Sequence, residues 1–392
     1  MKIRVCHIIT KMELGGAQQN TLYTVSHLNR SRFEPVLMTG SEGLLVEEAR
    51  DSGVACHLVG SLRREISPAR DLAALTGLTR RIRREAPDIV HTHSSKAGIL
   101  GRWAAWLAGV PHIVHTVHGY GFHAGQPQLA RGLLVLVERV TGRATTSATI
   151  VVSMANLRAG AELGLFSEDR AFLIRSGIRL ADFAPRPFTD EPGGMLTVGM
   201  VACLKPQKAP LDFVRVAARV ARQLETRPGS PRVQFLIAGD GELRDQVEAL
   251  IQAEGLSGKV SLLGWRRDMP EVIRTFDIML HTSRWEGLPR VFPEAMASGV
   301  PVVATRVDGA PEAVEEGVTG YLLPAGDIEG LARRVCELAR DKELRRAMGA
   351  EALRRTAAWD IDQMVRDQEK LYEGLVAGEL KRGVALPARL GG

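Results

Sequence analysis

The chain has 392 residues, 45% hydrophobic and 24% charged, enough for two globular domains of ordinary size. Its four cysteines, Cys6, Cys56, Cys203 and Cys336, are scattered without a CxxC pair, so neither a disulfide framework nor a zinc site is suggested and a reducing compartment fits. A net charge of +6 suits an anionic substrate or membrane surface, but the basic residues are dispersed and aromatics make up only 5%, which speaks against a nucleic-acid partner.

Lys2 to Ile9 reads as a strand, followed by Gly15-Gly16-Ala17 and a helix from Gln18 to Leu28. The apolar Ile8-Ile9 core is too short for a signal peptide. A glycine pair between strand and helix lets backbone approach a phosphate or sugar, with a purely steric need as the alternative. Strands are expected at Glu34–Thr39 and Cys56–Val59, and an amphipathic helix at Pro68–Arg84 with Leu72, Leu75, Leu78 and Ile82 on its apolar side. Ile89-Val90-His91 reads as a strand, Lys96–Leu107 as a helix and Ile113–Thr116 as a strand ending at His118-Gly119-Tyr120-Gly121. Leu129–Val140 is helical, and short strands follow at Thr149–Val152 and Leu173-Ile174.

Phe183 to Gly194, with three prolines, reads as an interdomain linker. The alternation then restarts: strands at Leu196–Val201, Val233–Ile237, Val260–Leu263, Ile278–Leu280 and Val302-Val303, with helices at Ala209–Gln223, Glu242–Glu254, Met269–Thr275, Phe292–Ala297, Ile328–Arg340 and Leu344–Thr356. Asp362–Val376 reads as a last helix and the rest as a loose tail. Strands alternating with helices predict α/β domains with parallel sheets. Residues 1–184 and 195–358 form the two domains, 359–376 a separate helix and 377–392 the tail.

The stretch Arg284 to Gly299 places Glu286 on a loop after a strand and Glu294 in the first turns of the next helix. At this edge of an open sheet ligands bind, and backbone N–H groups favour an anion. Without further context the two carboxylates would be a solvated loop residue and a first-turn helix residue. The Glu-x7-Glu spacing, with Glu-Ala-Met-Ala-Ser-Gly-Val-Pro-Val-Val-Ala-Thr at its end, closely resembles the signature of retaining glycosyltransferases of family four.

That resemblance spans almost the whole chain and implies the GT-B architecture, two Rossmann-like domains facing across a cleft with the last helix crossing back to the first. It implies that Glu286 contacts hydroxyls of the transferred sugar and Glu294 the ribose of a nucleotide. It also implies that Gly287, Leu288 and Arg290 meet the sugar or diphosphate, that Gly15 and Gly16 approach the diphosphate, and that His118 reaches the donor sugar. Lys208 matches a diphosphate-binding lysine. Relatives carry an arginine five residues earlier, where Cys203 stands; on a strand, period two would put Lys205 on the same side, so Lys205 is expected to supply the charge, with Arg290 as the alternative. Trp265 and Arg266 should lie against the base.

The implied catalytic residues are thus His118, Lys208 and Glu286. The nucleotide-sugar is a substrate, and neither a cofactor nor a metal is expected. The His91-Thr92-His93-Ser94 segment and the run His115-Thr116-Val117-His118 resemble bacterial enzymes of polysaccharide and lipid-linked glycan assembly, which makes a glycan or polyprenyl-diphosphate-linked sugar the acceptor and the cytoplasm, at the inner membrane face, the place. Leu133–Val137 with Arg131, Arg139 and Arg143 would touch an anionic membrane, unless that helix belongs to the core. The alternatives are an epimerase on the same scaffold, a non-catalytic nucleotide-sugar-binding subunit, or an NAD-dependent oxidoreductase; the last lacks the third glycine of G-x-G-x-x-G.

Overall fold

The computed structural model describes residues 2–122, 125–185 and 194–380. His123, the middle of the expected linker with Pro187 and Pro192, and the tail from 381 onward lie outside the described residues. The chain forms two compact units, Met1–Gly177 with Ile361–Gly392, and Ile178–Asp360.

The first unit runs β1 (Ile3–Ile9), α1 (Gly16–His27), β2 (Phe33–Thr39), α2 (Leu44–Asp51), β3 (Ala55–Leu58), α3 (Pro68–Glu85), β4 (Ile89–His93), α4 (Ser95–Ala108), β5 (His112–Val117), α5 (Gln128–Thr145), β6 (Ala148–Val151), α6 (Met154–Glu162) and β7 (Ala171–Leu173). All pairings are parallel, in the order β3-β2-β1-β4-β5-β6-β7. Helices cover both faces of such a sheet, so its central strands read as apolar runs. In β4 the exception is informative: Ile-Val-His-Thr-His is buried throughout, although three of its residues are polar.

The second unit runs β8 (Met195–Val201), α7 (Pro210–Glu225), β9 (Arg232–Ala238), α8 (Arg244–Ala253), β10 (Val260–Gly264), α9 (Met269–Arg274), β11 (Ile278–His281), α10 (Val291–Ala297), β12 (Val302–Thr305), α11 (Ala310–Ala313), β13 (Gly320–Leu323), α12 (Ile328–Arg340) and α13 (Lys342–Arg354). Its parallel sheet has the order β10-β9-β8-β11-β12-β13. Phe213, Val216 and Val220 of α7 pack with Leu331 and Val335 of α12 in one apolar cluster over the sheet. The last helix, α14 (Ile361–Val376), returns to the first unit. There Met364, Val365, Leu371 and Tyr372 join Val5, Ile89, Val114 and Ile150 of the sheet, and Tyr23 of α1 donates to Asp362 at 2.6 Å.

Each strand order reverses once, between β1 and β4 in the first unit and between β8 and β11 in the second. At such reversals the loops leaving two neighbouring strands diverge and open a crevice beyond the strand ends.

Several local expectations need correction. Leu72 is 63% exposed: the buried stripe of α3 is Ala74, Leu78 and Ile82, and Leu72 is rotated off it. Helices α2 and α6 are additional; α6 is capped by Ser153, whose Oγ accepts from the Asn156 N–H at 3.1 Å. β8 ends at Val201, so Cys203 and Lys205 lie in a loop where the Lys205 N–H donates to the Cys203 carbonyl at 2.8 Å. Strand alternation therefore does not relate them.

Helix α5 is oriented opposite to a core helix along much of its length. Leu129, Leu133, Leu136 and Val140 are exposed, while Val135 is buried. Inward it turns polar groups: Glu138 pairs with the fully buried Arg102 of α4, and Thr141 accepts from the Trp103 indole at 3.0 Å.

Candidate functional site

In the second unit the loops leaving β8 and β11 meet at the reversal. The first ends in a 3₁₀ turn, Pro206–Lys208, and the left-handed Ala209 (φ 45°). The second carries Thr282, whose hydroxyl donates to the Ala209 carbonyl at 2.9 Å, and Arg284, whose N–H donates to the Gln207 carbonyl at 2.7 Å. These contacts bring the half-buried Lys208 and the buried Glu286 together as an ion pair. The same Glu286 oxygen, Oε1, also receives Ser283 Oγ at 2.6 Å and His281 Nε2 at 3.1 Å. Burial opposes ionisation of Glu286, yet the Lys208 ammonium and His281 hold its carboxyl well below the usual carboxylate range.

Asp308, after β12, accepts from the Glu286 backbone N–H at 2.5 Å and has left-handed backbone (φ 40°), a conformation Asp tolerates better than most residues. Burial raises its pKa. Glu294 lies in the first turn of α10; burial raises its pKa, opposed by Arg290 at 3.9 Å. Gly287 and Leu288 are buried, and Gly287 accepts from the Gly309 N–H at 3.2 Å. Trp265 and Arg266 follow β10; Trp265 is exposed and Arg266 is paired with Asp268. Lys205 is half-buried on the β8 loop.

The second-unit cluster thus unites Lys208 with Glu286, and Arg290 with Glu294. His281, Ser283 and Asp308 complete it and had not been singled out. Their signal is positional: each ends, or lies within three residues of the end of, a strand flanking the reversal or next to it.

In the first unit, Gly15 lies after β1 and is extended (φ 179°), and α1 begins at Gly16 with no side-chain cap. An added Cβ at Gly15 would meet only the end of Gln18, so folding does not by itself require glycine there. His118, after β5, is half-buried, and its Nε2 lies 3.2 Å from His93 Nδ1. Both line a small pocket with Asn20, Thr21, Thr116 and Ser176. The Asn20 amide is buried with no hydrogen-bond partner among the described residues. Behind them, His7, His91 and His93 are fully or almost fully buried with donor atoms within 4.8 Å of one another, the one such group that could gather a metal among the described residues.

A family model described as glycosyl transferases group 1 matches residues 185–355, and one described as a glycosyl transferase 4-like domain matches residues 15–177. The chain is 32% identical over 352 residues to an Escherichia coli UDP-Gal:alpha-D-GlcNAc-diphosphoundecaprenol alpha-1,3-galactosyltransferase, covering 88% of this chain and 89% of the relative. It is 27% identical to a 2-deoxystreptamine N-acetyl-D-glucosaminyltransferase of Streptomyces fradiae, covering 87% and 86%. Among solved structures, Anabaena HepE in complex with UDP and glucose matches with a TM-score of 0.79 at 20% identity, covering 95% of this chain and 100% of the other. Sucrose-phosphate synthase of Thermosynechococcus elongatus matches with 0.79 at 19% identity, covering 96% and 100%. At these identities the structures speak to the fold, and the expected pair of Rossmann-like parallel sheets is present, one in each unit.

Proposed function

The chain belongs to the group 1 glycosyl transferases with a 4-like first half, and from that premise we propose that it is a retaining enzyme moving a hexose or N-acetylhexosamine from a UDP-sugar to a polyprenyl-diphosphate-linked sugar. The observation that carries this is the Lys208–Glu286 pair at the β8–β11 reversal, inside the matched region. UDP is favoured over GDP because the Escherichia coli relative is named for UDP-Gal and the Anabaena structure holds UDP.

In this reading Lys208 receives the diphosphate, with Lys205 and Arg290 as further cations, and Glu286 turns to the sugar hydroxyls. Glu294 takes the ribose diol, to which a carboxylate accepts two hydrogen bonds. Negative charge on the leaving diphosphate grows as the glycosidic bond loosens. The ammonium, guanidinium and loop N–H groups stabilise it, a role otherwise open to a metal ion; removing one such donor costs about 2.7–4 kcal/mol of barrier. The departing phosphate oxygen takes the acceptor's proton on the same face, so the anomeric configuration is kept.

The test is a thermal-shift panel of UDP, GDP, ADP and dTDP, followed by transfer from the matching sugar-nucleotide to a polyprenyl-diphosphate sugar in EDTA, with NMR of the product anomer. Stabilisation by UDP follows from binding to the native state and should vanish in Glu294→Ala. An inverted product, activity abolished by EDTA, or conversion of the donor without any acceptor would each overturn part of the reading.

The face of α5 supports work on a membrane-borne acceptor. A soluble helix normally turns its leucines inward; here Leu129, Leu133, Leu136 and Val140 face out, with Trp106 and Leu107 of α4 also exposed and Arg131 among them. Apolar side chains flanked by arginines suit the interface of an anionic bilayer. Full-length protein should sediment with phosphatidylglycerol vesicles at low salt, and Leu133→Ser with Leu136→Ser should not. Equal sedimentation of both proteins would remove this part.

A further inference from the structure

We propose that His7 and His93 are positioning residues that hold His118 in one tautomer, the Nδ1–H form, through a buried chain of imidazoles. Three rings from β1, β4 and the end of β5 make the chain: His7 Nδ1 lies 3.0 Å from His93 Nε2, and His93 Nδ1 lies 3.2 Å from His118 Nε2. His7 is fully buried and His93 is 3% exposed. The two rings lie edge to edge in nearly parallel planes, at 9°, with centroids 5.3 Å apart, as an in-plane N–H···N bond requires.

A neutral imidazole has one N–H and one acceptor nitrogen. Both hydrogen bonds can therefore form only if all three rings are oriented in the same sense. If His7 donates from Nδ1, His93 must accept at Nε2 and donate from Nδ1, and His118 must accept at Nε2 and carry its proton on Nδ1. In the opposite sense every proton moves to the other nitrogen, and His118 becomes the Nε2–H form. The deep end of the chain decides between them. His7 Nε2 is buried and has no partner among the described residues. In the second sense it would be an orphaned N–H, and in the first only a bare acceptor. Orphaned buried N–H groups are the rarer and costlier case. Burial also lowers the pKa of His7, to about 3, and of His93, so neither ring escapes the constraint by taking a second proton.

A metal on His7, His91 and His93 is the competing use of this cluster. It is disfavoured because His91 already engages the Tyr372 hydroxyl at Nδ1, 2.5 Å, and Thr116 Oγ1 at Nε2, 2.7 Å. The set also contains no anionic ligand.

The consequence rests on the functional reading given above, in which His118 meets the transferred sugar: the chain makes its Nδ1 a hydrogen-bond donor toward a sugar hydroxyl. The experiment separates the two claims. Long-range ¹H–¹⁵N spectra of the full chain labelled with [¹⁵N]histidine report each ring's tautomer without substrate. Wild type should show His7, His93 and His118 all as Nδ1–H, and His93→Leu should convert His118 to a tautomer mixture. In turnover, His93→Leu should lower kcat about tenfold or more with donor KM little changed, the pattern of a contact made in the transition state. His93→Asn, whose amide can still donate to His118, should recover most of that loss. An Nε2–H form of His118 in wild type, an unchanged His118 spectrum in both His7→Leu and His93→Leu, or equal kinetic loss in the Leu and Asn variants would overturn the proposal. Spectra as expected with unchanged kcat in every variant would uphold the chain and instead remove His118 from the transferred sugar.

Discussion

Lys208 and Glu286, 78 residues apart in sequence, form an ion pair at the reversal of the second sheet, and one carboxylate oxygen collects Lys208, His281 and Ser283 together. The folded pKa of Glu286 is depressed. Its ionised form therefore stabilises the fold fully above the unfolded carboxylate value of about 4.3, and that contribution is lost as pH falls through the lower folded value. The melting-temperature gap between wild type and Glu286→Gln should be flat from pH 8 to about pH 5 and close under stronger acid. Lys208→Met should destabilise by about 1–3 kcal/mol, because the buried carboxylate loses its cation and keeps only Ser283 and His281. A gap that widens on acidification would contradict the pairing.

Ala209 holds a left-handed backbone between the 3₁₀ turn carrying Lys208 and helix α7. Alanine costs roughly 1–2 kcal/mol in that region, and glycine returns part of the gain as unfolded-chain entropy. Ala209→Gly should therefore stabilise the protein by about 0.5–1 kcal/mol in urea unfolding. With Lys208 less rigidly presented, kcat should fall several-fold. A destabilised variant would show that the strain is not stored there.

The Arg102–Glu138 pair fastens α5 to α4, and Arg102 also donates to the Gly98 carbonyl at 2.8 Å. Glu138→Gln should cost about 3–5 kcal/mol through the uncompensated guanidinium, whereas Arg102→Met with Glu138→Leu should recover much of it. Equal unfolding free energies for the single and double variants would argue against a buried charge pair.

The Tyr372 hydroxyl lies 2.5 Å from His91 Nδ1 and links α14 to β4. Tyr372→Phe leaves a buried imidazole nitrogen without that partner, at a cost of about 1–3 kcal/mol. Urea unfolding followed by the fluorescence of Trp103 and Trp106 should show the loss in the first unit. An unchanged midpoint would mean that the contact is dispensable.

The alternation of apolar runs and helices made both sheets readable, since parallel strands buried on two faces are largely apolar, β4 with its two histidines being the exception. The motifs singled out Glu286, Glu294 and Lys208, and the structure brings Lys208 to Glu286. What escaped depends on contacts made across the sheet. Asp308 bears on Glu286 only because β11 and β12 are neighbours, and His281 reaches it because the loop after β11 folds back on the strand end. Whether α5 turns its leucines in or out depends on Arg102, a residue on another helix that takes Glu138 inward. Leu72 failed for a related reason: α3 buries a narrower stripe, partly of alanine, than its leucines suggest. The strand argument that placed Lys205 beside Cys203 does not hold, because the strand ends at Val201 before period two can apply.

The return of α14 to the first unit has a consequence for synthesis. Residues up to Gly177 leave the ribosome well before Ile361, so the first sheet waits for its covering helix while the whole of Ile178–Asp360 is made. At 5–20 residues per second that delay is roughly 10–40 s. During it, Val5, Ile89, Val114 and Ile150 lack the apolar cover of Met364, Val365 and Leu371, and His91 lacks Tyr372. The second unit has all its strands in one continuous segment and can finish first. The nascent chain thus completes its later-made half before its earlier-made one, and the open face of the first sheet is the surface a chaperone would hold.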